Sequence, residues 1–286
     1  MIIQAPLIIS GGDKMLYTIN SKDNKLVKMI KSLQQKKHRE IEGKYFIEGI
    51  KIIAEAVKEK IHLEDVMICP EMLKKIRGGE EFYETLRRSN LSINYVPEKI
   101  FNEICSTETP QGILAVIAKN ENDFNYENLK PEGFYIVLDR IQDPGNLGTV
   151  IRTADAAGVD GIILSEGCVD VHSPKTLRST MGSIFRVNIY ENINLEKALA
   201  KMKEIGIRVV AASLEAEKYY YDEDFGNGTA LAIGSEAHGV SSIVKNSADC
   251  LVKIPMKEQI DSLNASVAAG ILIYEKYRRM LRNNEK

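Results

Sequence analysis

The sequence predicts an α/β protein in two parts, a small N-terminal unit and a larger unit that repeats strand then helix. Three observations predict it. Residues 134–286 hold short apolar runs without alternation at 135–138, 161–164, 208–212, 230–233 and 252–254, the pattern of strands covered on both faces. Helical patterns separate these runs. Between 119 and 133 the chain is rich in Asn, Glu, Asp, Lys and Pro and reads as a linker. A length of 286 residues suits about two domains at ~100–200 residues each.

In the first part, 15–118, helices are expected over 24–35, 51–58 and 80–89, and strands over 45–48, 66–69, 94–96 and 113–117. Helix 24–35 rests on Leu26, Met29, Ile30 and Leu33, which recur at i, i+3, i+4 and i+7 on one face. The strands are short apolar runs, and their alternation with helices makes a small α/β unit. In the second part, strand 135–138 leads to the turn signal Pro144-Gly145, and Asn146 is a good N-cap for helix 147–157. Strand 161–164, helix 175–181, helix 195–205, strand 208–212, strand 230–233, helix 241–246 and strand 252–254 follow. Asp261 or Ser262 then caps a long final helix, 262–281, with the apolar stripe Leu263, Val267, Ile271 and Tyr274. The result is a mostly parallel sheet with helices on both faces, and such sheets bind ligands beyond the carboxyl ends of their strands.

Apolar residues make up 44% and charged residues 27% of the chain, which excludes a disordered, collagen-like or coiled-coil chain. A net charge of −2 excludes coating of nucleic acid by bulk positive charge. That sum conceals a split, +3 over residues 1–120 and −5 over 121–286, with a local +5 between Lys22 and Lys51. The local excess reads either as a solvated helix face or as a patch that neutralises phosphates. No apolar run approaches the ~18 residues of a membrane span. Cys69, Cys105, Cys168 and Cys250 have neither metal-ligand nor disulfide-framework spacing, so a reduced cytoplasm is the simplest setting. His38, His62, His172 and His238 offer no paired spacing, and no metal is expected. Met15 followed by Leu-Tyr-Thr reads as a second start, which makes 1–14 a leader or a disordered tail.

Three segments of the second part hold more Gly, Asn, Pro and Ser than packing demands, and each follows an expected strand. The first, 139–158, carries Asn146, Gly148 and, six residues after Asn146, Arg152. It lacks the Gly-Lys-Ser/Thr of a phosphate loop and the third glycine of a dinucleotide fingerprint. Alone, it reads equally as a capped helix with a surface arginine. The second, 230–239, places Glu236 between Gly234 and Gly239, a tight loop that lets backbone approach a ligand. A carboxylate there could pair with Arg152; the alternative is a turn with an exposed acid. The third, 254–270, sets Ser262 and Asn264 before a helix that opens with Ala265, Ser266, Ala268, Ala269 and Gly270, small enough for another backbone to come close.

Together and in this order, these segments resemble the three motifs of the SpoU/TrmH branch of the SPOUT superfamily, the trefoil-knotted RNA ribose 2′-O-methyltransferases. The resemblance rests on Asp143-Pro-Gly-Asn-Leu-Gly-Thr-Val-Ile-Arg-Thr-Ala154, on Ile233-Gly-Ser-Glu-Ala-His-Gly239, and on Ile254-Pro-Met256 with Ser262-Leu-Asn-Ala-Ser-Val267. The stretch from Ser173 to Arg186 also looks like the family's segment. Arg39, Tyr45-Phe-Ile-Glu-Gly49 and Thr109-Pro-Gln-Gly112 make the first part similar to the family's substrate-binding domain, a small fold like ribosomal protein L30e.

The resemblance implies a knotted methyltransferase domain over 134–286, a linker over 119–133 and an RNA-binding domain over 15–118. It implies a pocket for S-adenosylmethionine at Gly234, Ile254 and Leu263, formed mostly from backbone. Asn146, Arg152, Glu236, Ser262 and Asn264 match catalytic positions. Arginine stays protonated, so Arg152 is expected to act as an electrostatic clamp rather than a base, with Glu236 orienting it. Lys36, Lys37, Arg39 and Arg178 are the expected RNA contacts. The resemblance further implies a homodimer through the last helix, and ribosomal RNA as a substrate ahead of transfer RNA. The alternatives are a tRNA ribose methyltransferase and a catalytically idle RNA-binding or ribosome-assembly factor on the same fold.

Overall fold

The apolar runs assigned to strands pair into two separate sheets in the computed structural model, which describes residues 18–89, 91–119, 124–257 and 262–284. The chain divides into two units after residue 120. In the first, β1 (Lys44–Glu48), β2 (Asp65–Ile68), β3 (Ile93–Tyr95) and β4 (Ile113–Ala118) form a sheet in the order β1-β4-β2-β3. β4 is antiparallel to β1 and β2, and β3 is parallel to β2. The helices are α1 (Lys25–Ser32), α2 (Lys36–Glu42), α3 (Ile50–Lys58), α4 (Pro70–Leu73), α5 (Gly79–Arg87) and α6 (Glu98–Ile104). Phe46, Met67, Leu114 and Val116 of the sheet pack with Val27, Ile30 and Leu33, and with Ile100, Phe101 and Ile104 of α6. Ile30 and Leu33 of the stripe that predicted the first helix are fully buried, each contributing about 1.5–3 kcal/mol of apolar burial.

The helix expected over 24–35 is α1, and α2 is an added helix that follows it. Asn24 caps α1, its Oδ1 accepting from Leu26 N at 2.8 Å, and α1 stops at Ser32. α2 restarts at Lys36 and ends at Gly43, whose φ of +59° no β-carbon opposes. Arg39 is only 5% exposed, and its Nη1 donates to Leu33 O at 2.6 Å. Its guanidinium therefore closes the α1–α2 turn, with little of it open to solvent. Helices α4 and α6, which begin at or just after Pro70 and Pro97, are additions to the expected elements.

In the second unit the order is β5 (Phe134–Asp139), α7 (Pro144–Ala156), β6 (Gly161–Ser165), α8 (Pro174–Thr180), β7 (Ile189–Ile193), α9 (Leu195–Glu204), β8 (Arg208–Ala212), β9 (Thr229–Gly234), α10 (Ser242–Ser247), β10 (Cys250–Val252) and α11 (Ala265–Asn284). The six strands are all parallel, in the order β10-β8-β9-β5-β6-β7. Successive side chains of β5 show why its run lacks alternation. Phe134, Ile136 and Leu138 join a core with α7 and α11, while Tyr135 and Val137 join a second core with α9 and α10. Strand β7, not expected from the sequence, lies at the sheet edge, where most of its residues are partly exposed.

The expected linker is shorter than its composition implies. Leu129 is buried in the α9 core, the Phe124 ring lies 4.9 Å from that of Tyr190, and Lys130 Nζ sits 2.7 Å from Asp160 Oδ1. The expected leader, 1–14, lies outside the described residues. So do 258–261, in the segment before α11 to which the expected C-terminal threading belongs. Among the described residues, no helix is long and apolar enough to cross a membrane.

Candidate active site

Strand β5 delivers Asp139 to its carboxyl end, 2% exposed. Asp139 Oδ2 accepts from Ser241 N at 2.6 Å, tying β5 to the loop that follows β9, and Oδ1 accepts from Arg140 Nε at 3.1 Å. Pro144 then occupies the first turn of α7, so the N-cap falls on Asp143 rather than on Asn146. Asp143 Oδ1 accepts from Asn146 N at 2.8 Å. This bond, with Lys175 nearby, holds the Asp143 carboxyl below the usual carboxylate range. Asn146, expected as the cap, is inside the first turn, and its side chain is released for other partners. At Gly148 an added Cβ would lie 2.8 Å from Thr176 O, so the glycine lets α7 lie against α8.

Strand β9 ends at Gly234, where an added Cβ would overlap the backbone of Gly239 and Val240. Gly239 N donates to Ser235 O at 2.8 Å, closing a tight turn that carries Glu236. At the third motif, Asn264 caps α11: its Oδ1 accepts from Ser266 N at 3.0 Å, Val267 N at 3.3 Å and Ser266 Oγ at 2.6 Å. Ser262, expected as a cap, lies exposed before it, and Asp261 is outside the described residues.

The three motifs meet in one hydrogen-bonded chain. Asn264 Nδ2 donates to Asn146 Oδ1 at 2.9 Å, and Asn146 Nδ2 donates to Glu236 Oε1. Every dipole in this chain points the same way, from the N-terminus of α11 to the carboxylate of Glu236. The expected Glu236–Arg152 pair is not formed. Arg152 lies about 9 Å along α7 from Asn146, by the 1.5 Å rise per residue. It is exposed and makes no hydrogen bond or ion pair among the described residues.

Beside this chain is a cavity of about 290 Å³. Gly234, Ile254 and Leu263, the three expected cofactor positions, line it together with Glu236 and Ser262. Leu214 and Met256, unmarked by any motif, complete its apolar wall. Lys245 and Lys253 also border it, and both are engaged: Lys245 Nζ lies 2.7 Å from Glu215 Oε2, and Lys253 Nζ lies 5.4 Å from the centre of the Tyr219 ring.

The expected RNA contacts belong to different units. Lys36 and Lys37 are exposed on α2 in the first unit, with Lys36 3.8 Å from Glu40, whereas Arg178 is half-buried on α8 in the second. Sequence reasoning missed Asp139, although its place as the last residue of an apolar run was a usable signal. It also missed that Asp170, His172 and Glu191 place ligand-type atoms within 4.8 Å of one another, because Glu191 comes from the unexpected strand β7.

The model of the SpoU rRNA Methylase family matches residues 133–274, and that of the MRM3-like substrate binding domain matches 24–115. The chain is 34% identical to the 23S rRNA (guanosine(2553)-2'-O)-methyltransferase RlmP of Bacillus subtilis, over 90% of this chain and 97% of that protein. Among solved structures, an RNA 2'-O ribose methyltransferase matches with a TM-score of 0.79 at 29% identity, covering 92% of this chain and 99% of that one. An AdoMet-bound rRNA methyltransferase from Sinorhizobium meliloti matches with a TM-score of 0.79 at 32% identity, covering 92% and 97%. The chain belongs to the SpoU/TrmH family of RNA 2′-O-ribose methyltransferases. Its cofactor is S-adenosylmethionine, and the cavity fits it. The volume is near the ~300 Å³ lower end for small-molecule sites, backbone approaches at Gly234, and the charge of Lys245 is matched by Glu215.

Proposed function

We propose that this chain methylates a ribose 2′-hydroxyl of 23S rRNA. The observation that carries the reading is the Asn264–Asn146–Glu236 chain, whose Glu236 lines the cavity, with Arg152 open on the same helix as Asn146. Bound S-adenosylmethionine supplies the methyl group as an electrophile. The chain's own residues have to orient the ribose oxygen, relieve it of its proton and hold the charge that develops. Glu236, fixed through one carboxylate oxygen by Asn146, keeps the other to accept from the ribose hydroxyl. Arg152 supplies a permanent positive charge for the developing alkoxide or the adjacent phosphate, as an electrostatic clamp. Ser262 and Asn264 line the ribose side, and the hydroxyl's proton passes along its hydrogen bond to Glu236 and from there to water.

Lys36 and Lys37 of the first unit, with Arg178 of the second, are the proposed phosphate contacts. Identity to RlmP favours 23S rRNA over transfer RNA. The chain is proposed to act as a homodimer through α11, whose Val267, Tyr274 and Leu281 lie seven residues apart and are each about half exposed. Light scattering at 32 kDa would count against that assembly. Ribose-methylation mapping of rRNA and tRNA, with and without the gene, tests the function. Loss of one 2′-O-methyl mark in 23S rRNA is expected, loss in tRNA moves the substrate, and no loss in either rejects the reading.

A further inference from the structure

The first unit contains a buried acid with no part in the reaction above. Glu48 ends β1 and is 8% exposed. Its carboxylate accepts from Ser106 N and Ser106 Oγ, both at 2.8 Å, and from Thr107 Oγ1. No Lys, Arg or His forms an ion pair with it among the described residues. Burying a carboxylate without a cation is an expensive way to gain stability, whereas three donors from one loop make it an effective way to hold that loop.

The loop is 105–111, between α6 and β4, and it is held at its other end too. Gln111 Oε1 accepts from Ile50 N at 2.8 Å, and an added Cβ on Gly49 (φ +105°) would press on that same oxygen at 3.1 Å. On a third side, Gln34 Nε2 donates to Ile104 O at 3.3 Å and Cys105 O at 3.2 Å. Gln34 leads directly into exposed Lys36 and Lys37. The α1–α2 turn, the β1–α3 junction and loop 105–111 therefore form one rim, at the end of the sheet where β1 and β2 finish and β4 begins.

We propose that this rim is the RNA-recognition edge of the first unit, with loop 105–111 reading unpaired nucleotides and Glu48 as its positioning residue. The proposal rests on the RNA-substrate reading above and adds the surface that does the reading. The division of labour follows from charge. Lys36 and Lys37 suit phosphates, while the exposed tip carries Glu108 and Thr109, an acid that phosphates repel and a neutral hydroxyl. Both tip groups suit base edges, Glu108 as an acceptor for an exocyclic amine. Recognition of splayed bases needs such groups held in advance, which is what the Glu48 bonds do.

The test uses the full chain with 23S rRNA and with bulk tRNA, both purified from cells lacking the gene. Glu48→Gln removes the charge and leaves one acceptor oxygen in place of two for the three donors, which loosens the loop. It should weaken binding of the preferred RNA about tenfold, leave the slope of log affinity against log salt unchanged, and leave S-adenosylmethionine affinity unchanged. Charge reversal at Lys36 and Lys37 should instead flatten the salt slope. A surface variant, Glu108→Ala with Thr109→Ala, carries no folding risk and should lower the preference over poly(U) about tenfold. Tight wild-type binding that both Glu48→Gln and the surface variant leave untouched overturns the rim. If Glu48→Gln does not fold, the surface variant alone decides. Weak wild-type binding to both RNAs overturns the RNA reading itself.

Discussion

Gly234→Ala is the sharpest single perturbation of the proposed cofactor site. A methyl group there would meet the carbonyl of Gly239 and the nitrogen of Val240, backbone atoms that cannot rotate aside. The 235–240 turn must retreat by more than an ångström before ordinary contact at 3.4 Å is restored. Asp139 resists that retreat, because its buried carboxylate holds Ser241 N at 2.6 Å. Overpacking of this kind costs about 1–3 kcal/mol of stability, a fall of roughly 2–12 °C in Tm at about 2–4 °C per kcal/mol for a domain of this size. The turn carries both Glu236 and one wall of the cavity, so a shift of about 1 Å should cost on the order of 10²-fold in turnover. Titration calorimetry with S-adenosylmethionine should show affinity weakened about tenfold or more, and transfer of a radiolabelled methyl to 23S rRNA should fall about a hundredfold. RNA affinity should change little. A folded Gly234→Ala chain with wild-type cofactor affinity would refute the reasoning.

Arg152→Ala should lower single-turnover methyl transfer about 10²–10³-fold with RNA affinity nearly intact; normal turnover with weakened RNA binding would remove Arg152 from the catalytic set. Asn264 has two separable tasks. Asn264→Ala should lose about 1 kcal/mol by uncapping α11 and lose turnover as well. Asn264→Asp keeps the cap oxygen but loses the Nδ2 donor to Asn146, so denaturation should be near normal while turnover falls. Equal turnover in the Asn264→Asp and wild-type chains would sink the hydrogen-bonded chain as a catalytic element. Asp143, whose carboxyl is held below its usual value of 3.8, gives a pH signature. A lowered folded-state pKa adds stability above the unfolded value and loses it as pH falls through the folded value. The difference between wild type and Asp143→Ala, about 1 kcal/mol, should thus be constant from neutral pH down to about 5 and shrink below 3.8. A difference that grows with acid in urea titrations would contradict the cap.

Much of this molecule is legible along the chain. Strands with residues buried on both faces announce themselves as unbroken apolar runs, which is why β5, β6, β8 and β9 fall within a residue or so of expectation. Edge strand β7, with Tyr190 and Asn192 not fully buried, carries no such signal. The positions that the motifs mark for a cofactor, Gly234, Ile254 and Leu263, are brought to one cavity by the fold although they span 30 residues. Arg39 shows the limit: nothing in its basic segment announces that its guanidinium is buried and bonded to Leu33 O across the α1–α2 turn. Asn146 shows another, since sequence favours it as a cap while Pro144 shifts that task to Asp143.

What the sequence determined by itself was therefore composition-level and local: two units, a parallel sheet, a basic first unit, and which residue types stand in the three motifs. The tertiary structure alone decided who meets whom. Glu236 could be matched to Arg152 by charge, yet it bonds Asn146, because hydrogen bonds depend on ångström-scale positions set by packing across 90 positions of sequence. The same holds for Glu48, whose three donors lie nearly 60 residues away. Charge and periodicity are written in the chain; the geometry that turns an acid into an orienting group exists only once the sheets are closed.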